Sequence, residues 1–292
     1  MAKPHATALV SRSQSLAARL PALLIAAERV ASTVAQGVHG RRRTGLGEAF
    51  WQFRSYEPGD PPQRIDWRRS ARSDRVYIRQ TEWEAAQTVW LWRDGSASMR
   101  YRSQAALPEK RERAELLVMA LANLLFRGGE RVALMGTGLR PSSSLVATEQ
   151  MALWLLREPD PASLPAQAEL PRFSQIVLCG DFLSPVEEVA ATLRPHAERG
   201  LKGHLLRVLD PAEASLPFNG RVRFAGLEGE GELIFPRVES IREAYLERFL
   251  GHEAALKDLA RAIGWSMSTH RTDHPAEPAL LGLWAMLGER AA

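Results

Sequence analysis

The chain has 292 residues, of which 45% are hydrophobic and 25% charged, a composition typical of a folded globular protein with one large domain and a smaller one. Its formal net charge is +4, and no apolar stretch reaches the roughly 20 residues that a membrane-spanning helix needs. The single cysteine, Cys179, excludes an internal disulfide and is predicted to be a small core residue. Since no signal-peptide pattern is present either, we expect a soluble protein of the reducing cytoplasm.

The first third of the chain divides into a helical and a β-rich part. Residues 13–36 carry apolar side chains near helical spacing and are predicted to form an amphipathic helix. Residues 37–47 are rich in Gly and Arg and are predicted to be a loop, whereas 48–85 combine aromatic residues with a Pro- and Gly-rich turn. The resulting division is an N-terminal helical segment (1–36), a small β-rich appendage (37–85) and a main domain (86–292).

In the main domain, apolar strand patterns alternate with amphipathic helix patterns. The predicted strands are at 87–93, 131–135, 175–180, 203–209 and 265–271, with a short edge strand at 145–146 and a hairpin within 219–236. The predicted helices are at 109–126, 150–157, 185–198, 238–263 and 278–288. This alternation predicts an α/β fold in which a doubly wound, mostly parallel sheet is covered by helices on both faces.

One carboxylate and two hydroxyls follow the first strand of the main domain in alternating register. Asp94, Ser96 and Ser98 come directly after the apolar run that ends at Trp92. Open α/β sheets bind ligands at the carboxyl ends of their strands, and carboxylate and hydroxyl oxygens suit Mg²⁺ or Mn²⁺. The pattern Asp-x-Ser-x-Ser is therefore a candidate for half of a metal site. The alternative is a turn in which these side chains only cap the next helix.

A second carboxylate, Asp181, follows the predicted strand at 175–180. If the strand order is 3-2-1-4-5-6, the first and fourth strands are neighbours where the winding reverses, and Asp181 lies beside Asp94. Two adjacent carboxylates repel each other, and a divalent cation between them removes that repulsion. The alternative is that Asp181 caps the following helix together with Ser184. The coupling of the two strand ends favours the metal site.

Two stretches of the sequence resemble known families. The sequences DGSASM at 94–99 and LCGDF at 178–182 resemble the metal-ion-dependent adhesion site of von Willebrand factor A-like domains. Residues 45–79 resemble the signature of a bacterial family, domain of unknown function 58, and the resemblance runs in order over residues 35–285. The positions that carry this signature are Arg54, Tyr56, Pro58, Gly59, Asp60, Ile65, Asp66, Trp67, Ser70, Ala71 and Arg72.

The resemblance implies a von Willebrand A-like fold with an adhesion-type site for Mg²⁺ (or Mn²⁺). The residues that match the motif, and that would hold the metal, are Asp94, Ser96, Ser98 and Asp181. The loop threonine of such sites has no clear counterpart here. Ser163 lies in the right interval and could supply a hydroxyl, whereas Thr137 and Thr148 are less well placed. Arg93 stands where an apolar residue is expected, and it either weakens metal binding or points away from the site.

The resemblance also implies a kind of partner. Proteins of this family are typically encoded beside MoxR-type AAA+ ATPases and are thought to act as adaptors in chaperone-like or maturation systems. An adhesion-type metal keeps one coordination position open for an Asp or Glu of a partner, which requires neither a nucleophile nor a general base. We therefore predict a non-enzymatic adaptor that binds a MoxR-type AAA+ ATPase or its client and has no small-molecule substrate.

A second hypothesis is based on the arginines at 41–43 and within 64–79, which would suit nucleic acid or an anionic membrane surface. The alternative is a solvated surface whose arginines pair with nearby carboxylates such as Glu57 and Asp60. No nucleic-acid-binding motif accompanies these arginines. Trp67 could stack on a base, but we interpret it as a core residue of the appendage.

Catalysis is not expected from this sequence. Ser96 stands where an aspartyl-phosphate phosphatase would have its second carboxylate. The seven histidines are scattered and form no metal-binding pair on one helix face, and a nucleophilic serine would need a base. Gly128 and Gly129 lack the lysine that follows in a phosphate-binding loop.

Overall fold

The computed structural model describes residues 10–11, 40–45, 49–57, 60, 65–73, 75–86, 88–144, 146–156, 162–229 and 231–288. These residues form a small antiparallel sheet, a five-stranded parallel sheet with its helices, and a two-stranded hairpin. The amphipathic helix predicted at 13–36 lies outside the described residues.

The appendage is a three-stranded antiparallel sheet. Its strands are β1 (Gly40–Gly45), β2 (Ala49–Ser55) and β3 (Tyr77–Ala86), and β3 is central. The prediction of a loop at 37–47 is wrong for Gly40–Gly45, since β1 pairs along its whole length with β3. Strand preference depends strongly on tertiary context, and pairing satisfies the backbone whatever the local composition.

The main sheet is parallel throughout, which agrees with the predicted α/β class. Its strands are β4 (Thr88–Arg93), β5 (Arg131–Leu134), β6 (Gln175–Gly180), β7 (Lys202–Leu209) and β10 (Ser266–Arg271). The order across the sheet is β10-β7-β6-β4-β5, with every neighbouring pair parallel. All six residues of β6 are buried, as expected for a strand covered on both faces.

The strand order 3-2-1-4-5-6 agrees with the observed order except at its first position, where the edge strand expected at 145–146 is not part of the described sheet. Val146 instead begins a helix, α3 (Val146–Leu156). From one edge of the sheet to the other the strands are β5, β4, β6, β7 and β10. The chain moves outwards from β4 to β5 and then in the opposite direction from β6 to β10, so the winding reverses between β4 and β6. The neighbour relation that the site needs is present, since the strand ending at Asp94 lies directly beside the strand ending at Asp181.

Helices cover both faces of the main sheet. Besides α3, the longer helices are α2 (Lys110–Arg127), α4 (Val186–Glu198), α6 (Arg242–Ala262) and α7 (Ala276–Gly288). Alternate strand residues feed two separate cores: Leu91 and Cys179 pack with α2, α3 and α7, whereas Trp92 and Leu178 pack with α4 and α6. Cys179 is thus the small core residue that was predicted, and burial raises the pKa of its thiol to about 12.

Three shorter elements complete the described residues. They are α1 (Trp67–Ser70), α5 (Pro211–Ser215) and the antiparallel hairpin of β8 (Val222–Ala225) with β9 (Glu232–Phe235). The hairpin confirms the prediction for 219–236. Among the described helices, none combines the length and the apolar character needed to cross a membrane.

Candidate functional site

The loop after β4 folds around the Asp94 carboxylate. Its Oδ1 atom accepts hydrogen bonds from the Ser96 backbone N–H (2.9 Å) and from Ser96 Oγ (2.6 Å). The Asp94 N–H donates to the Cys179 carbonyl at 2.8 Å, so pairing with β6 continues one residue past the end of β4. A short 3₁₀ helix then begins at Ala97. The alternation of Asp and Ser thus sets a local turn, as this residue pattern commonly does.

The four predicted metal ligands form one hydrogen-bonded set, which we call the carboxylate–serine network (Asp94, Ser96, Ser98 and Asp181). Ser96 Oγ lies 3.0 Å from Ser98 Oγ, and Ser98 Oγ donates to Asp181 Oδ2 at 2.7 Å. Asp181 does not cap α4, because that helix has Pro185 at its N-cap and no side-chain cap. The structure therefore brings together the two strand-end carboxylates by means of the two hydroxyls.

Gly180 allows this close approach. A Cβ atom on Gly180 would lie 2.8 Å from Asp94 Cβ and 2.9 Å from Asp94 Oδ2, distances that real Cβ contacts essentially never show. Beyond Asp181, Phe182 has a φ of 51°, which is uncommon for a bulky residue, and its side chain is fully buried. The chain leaves β6 through a constrained turn that tertiary packing holds in place.

The electrostatics of the network are those of a buried anionic site. Asp94 is fully buried, and its Oδ2 atom has no hydrogen-bond partner. Burial, reinforced by the nearby charge of Asp181, raises the pKa of Asp94 to about 7, although the hydrogen bonds from Ser96 oppose the shift. A buried carboxylate oxygen without a donor is costly, and it marks a place where a cation would be stabilised.

Lys110 is part of the site, and the sequence reasoning missed it. Its side chain is fully buried, and its Nζ atom donates to Asp181 Oδ2 at 2.9 Å and to Glu213 Oε1 at 2.6 Å. Burial alone would lower the pKa of Lys110, but the charges and hydrogen bonds of these two carboxylates raise it overall. Lys110 is the first residue of α2, and a capping box of Glu109 and Glu112 fixes that start. The capping box indicates where α2 begins but not that this start packs against the sheet edge.

Two buried arginines support the strand ends from behind. Arg93 points towards α2 and α3, where it pairs with Glu115 at 3.3 Å and donates to the Leu155 carbonyl at 3.0 Å. The Arg93 side chain thus points towards the helices, as one of its two interpretations has it, while its Nη1 atom also donates to the Asp94 carbonyl at 3.2 Å. Arg207 donates from Nε to the Asp181 carbonyl at 3.1 Å, and its guanidinium lies 4.6 Å from the Phe249 ring centroid.

The loop hydroxyls lie apart from the network. Ser163 Oγ is 3.1 Å from Ser184 Oγ, whereas Thr137 donates to the carbonyl of Leu134 at the end of β5. The segment that carries Ser163 still approaches the site, since the Gly95 N–H contacts the Ala162 carbonyl at 3.4 Å. Ser163 thus borders the site but has its hydrogen bond to another serine.

The mouth of the site is bordered by the β8–β9 hairpin. Glu228 in the hairpin turn accepts a hydrogen bond from the Ser98 N–H through Oε1, at 3.3 Å. The next residue towards β8, Leu227, is half exposed. An acidic side chain beside an apolar one therefore already reaches the rim of the network.

The donor set of the network suits a hard cation. Within the described part of the chain, no group of three His, Cys, Asp or Glu residues could hold a metal. The network has two carboxylates, and hydroxyls provide its remaining oxygens. Oxygen-only donors are what Mg²⁺ and Mn²⁺ prefer, so the residues fit these ions, and the Lys110 ammonium already occupies one carboxylate oxygen of the set.

Residues 66–73 of the arginine-rich segment, which we call the arginine turn, border a cavity that is separate from the network. The cavity is open, has a volume of about 400 Å³ and is lined by Asp66, Arg68, Arg69, Arg72, Ser73 and Tyr77. Hydrogen bonds fix this turn, because the Asp66 carboxylate accepts from the Arg69 N–H and Ser70 Oγ accepts from the Tyr77 N–H. Trp67 is 66% exposed, so its interpretation as a core residue is wrong.

Part of the expected charge pairing in the appendage is present. Arg54 Nη2 donates to Asp60 Oδ1 at 2.7 Å, and the Glu57 N–H donates to the second oxygen of the same carboxylate at 2.8 Å. These hydrogen bonds tie the end of β2 to Asp60 of the signature sequence. The arginines that line the cavity lie outside this pair.

Comparison with known proteins places the chain in a family. The chain is 26% identical over 276 residues to uncharacterised proteins of Mycobacterium tuberculosis and Mycobacterium bovis, covering 88% of this chain and 85% of theirs. An aerotolerance-related membrane protein from Bacteroides fragilis has a TM-score of 0.44 and 18% identity, covering 70% of this chain and all of that one. BatB from Bacteroides thetaiotaomicron has a TM-score of 0.39 and 15% identity, covering 70% and 98%. Residues 52–255 match the family described as protein of unknown function DUF58, and the chain therefore belongs to that family.

Proposed function

We propose that this protein is a non-enzymatic cytoplasmic adaptor that captures a carboxylate of a protein partner through Mg²⁺ (or Mn²⁺) held at the carboxylate–serine network. The observation that carries the proposal is the buried Asp94 Oδ2 atom, which has no hydrogen-bond partner. This atom belongs to a network of oxygen donors whose other end is the Asp181 carboxylate. Such an oxygen favours a cation. When bound, the ion would supply positive charge and an open coordination position for the acid group of the partner.

The residues of the chain would prepare this capture. Asp94 Oδ1 holds the Ser96 hydroxyl, and the hydroxyl of Ser98 is held by Asp181, so the oxygen donors are in place before a cation arrives. Glu228 supports the choice of a carboxylate as the captured group, because an acidic side chain of this chain already reaches the Ser98 N–H. A partner acid would approach the same rim.

Binding accounts for these side chains better than catalysis does. Both serine hydroxyls are engaged with carboxylates or with each other, and among the described residues neither contacts a histidine that could act as a base. The partner class, a MoxR-type AAA+ ATPase or its client, rests on the family resemblance and on the acid-binding chemistry of the network.

The test is the thermal stability of the protein in chelator and in Mg²⁺. Ligand at about 100 times its Kd adds about 2.7 kcal/mol, which raises the Tm by roughly 5 °C or more for a domain of this size. We expect this rise in the wild-type protein and in a Ser163→Ala control, and its loss in Asp94→Ala and Asp181→Ala. Capture of a purified MoxR-type ATPase should weaken in chelator and in the same two variants. An unchanged Mg²⁺ response in both aspartate variants would refute the site.

A second candidate function is binding of an anionic ligand at the arginine turn. The specific observation is the fixed cavity with three arginines, beside the exposed ring of Trp67. Guanidinium groups bind phosphates in bidentate fashion, and exposed aromatic rings stack on bases. Binding to single-stranded DNA that falls steeply with salt would support this function. Unaltered mobility with DNA together with no sedimentation with anionic vesicles would eliminate it.

A further inference from the structure

Asp181 Oδ2, an oxygen of a predicted metal ligand, is already paired with the ammonium of Lys110. Asp181 Oδ2 accepts from Ser98 Oγ at 2.7 Å and from the Lys110 ammonium at 2.9 Å. Both Lys110 and Asp181 are buried, so this is a desolvated ion pair inside the site. A divalent ion at the same oxygen would compete directly with the ammonium, because two cations cannot share it without strong repulsion.

The structure also contains a second acceptor to which the ammonium can withdraw. Lys110 Nζ donates to Glu213 Oε1 at 2.6 Å at the same time as to Asp181. The other oxygen of Glu213 accepts from the Asp210 N–H at 2.8 Å in the capping box of α5, which fixes this carboxylate. Lys110 can therefore release Asp181 and remain paired, so its charge is never left alone in the interior.

We infer that Lys110 is the resident cation of the carboxylate–serine network, and that a divalent ion binds by taking Asp181 Oδ2 from the Lys110 ammonium, which stays on Glu213. This inference rests on the proposed metal site and adds the residue that controls its occupancy. The lysine raises the concentration of divalent ion that is needed to occupy the site, because the ion must displace the ammonium from Asp181. It also stabilises the folded chain when no divalent ion is bound.

The experiment compares Mg²⁺ affinity, measured by calorimetry and by Mn²⁺ competition, in the wild type and in Lys110→Met. Methionine keeps the length of the aliphatic part of the lysine side chain and removes the ammonium with its charge, so Mg²⁺ should bind at least about tenfold more tightly. In chelator, Lys110→Met should have a lower Tm than the wild type, and Mg²⁺ should recover the loss. Arg111→Met is the matched control, because Arg111 is the next cation on the same helix but bonds Glu115 and the Leu155 carbonyl.

The outcomes separate this inference from the proposed function. If Lys110→Met binds Mg²⁺ no more tightly than Arg111→Met, Lys110 is not the competing cation and the inference is overturned, even if the wild type binds Mg²⁺. If the wild type does not respond to Mg²⁺ but Lys110→Met does, the inference holds and the proposed function fails. If Lys110→Met is unfolded in chelator, folding on addition of Mg²⁺ supports the inference, and failure to fold at any Mg²⁺ concentration overturns it.

Discussion

The carboxyl edge of the parallel sheet and the arginine turn of the appendage both concentrate charge, but they hold it in opposite ways. At the sheet edge, Asp94, Lys110 and Arg207 are fully buried, and their positions are set by neighbouring elements. At the arginine turn, Arg68 and Arg72 are exposed on a short backbone turn. A buried charge must be matched by its surroundings and is costly to disturb, whereas an exposed charge contributes little to stability.

The difference shows where function and stability are coupled. The polar groups of the carboxylate–serine network hydrogen-bond one another in the interior, so under the proposed function a substitution there would change folding and cation affinity together. The exposed arginine side chains of the arginine turn can be replaced with little effect on folding, since backbone hydrogen bonds and the side chains of Asp66 and Ser70 hold the turn. Three variants test this contrast, in decreasing order of expected effect on stability.

The largest effect is expected for Gly180→Ala. The new methyl group would meet the side chain of Asp94 at a distance that requires one of the two strand ends to move, and both are buried. We expect a loss of about 3 kcal/mol in the free energy of unfolding, measured by urea denaturation. The control is Gly251→Ala in α6, where a Cβ meets nothing within 4 Å and which should gain about 0.5–1 kcal/mol in helix propensity. Equal stability of the two variants would show that the strand ends are not tightly apposed.

The next effect is a dependence of stability on pH that arises from His270 in β10. Burial, together with the charge of Arg113, lowers the pKa of His270 to about 4. A histidine with a depressed folded-state pKa favours folding above its unfolded value of about 6.5, and this contribution is lost as the pH falls from 6.5 through 4. The loss should be on the order of 2 kcal/mol and is measured as the difference between the wild type and His270→Gln, because Asp94, whose pKa is raised to about 7, contributes an opposite pH dependence in both. His274→Gln, at an exposed position, should keep most of the dependence, because the charge of His274 lowers the pKa of His270 less than burial and Arg113 do.

The smallest effect on stability is expected for the double variant Arg68→Gln/Arg72→Gln. Both side chains are exposed, so the free energy of unfolding should change by less than about 0.5 kcal/mol. Any salt-dependent binding of single-stranded DNA should weaken, and the slope of its logarithm against salt should fall by about 2. Arg223→Gln in β8 provides an exposed arginine outside the turn as a control. A destabilisation similar to that of Gly180→Ala would show that these charges are structural.

Much of the main domain followed from hydrophobic periodicity. The strand at Thr88–Arg93, the helix ending near Arg127, and the hairpin before the long α6 helix lie close to their predicted positions, because continuous apolar runs and helical spacing are strong local signals. The errors occurred where tertiary contacts outweigh local composition. β1 is a strand because β3 pairs with it, and Val146 belongs to a helix although it was counted in an edge strand.

The aspartates and serines of the network could be predicted from the sequence, whereas the buried lysine and its second carboxylate partner could not. Asp94 and Asp181 were identified because each follows a buried strand, and parallel strands end at one edge of the sheet. Lys110 and Glu213 were not, because each lies at the start of a helix whose position over that edge depends on packing. No local pattern marks a lysine that will be buried against a carboxylate 71 residues away.

The sequence alone determined the α/β class, the family signature and the residue types of the network, because these depend on periodicity and on short motifs. Only the tertiary structure decided that β4 and β6 are the neighbours at the reversal of winding, and that the Lys110 ammonium lies on Asp181. Side-chain charges become fixed partners only when packing removes water from between them. That step depends on the whole fold, and no single segment of the chain encodes it.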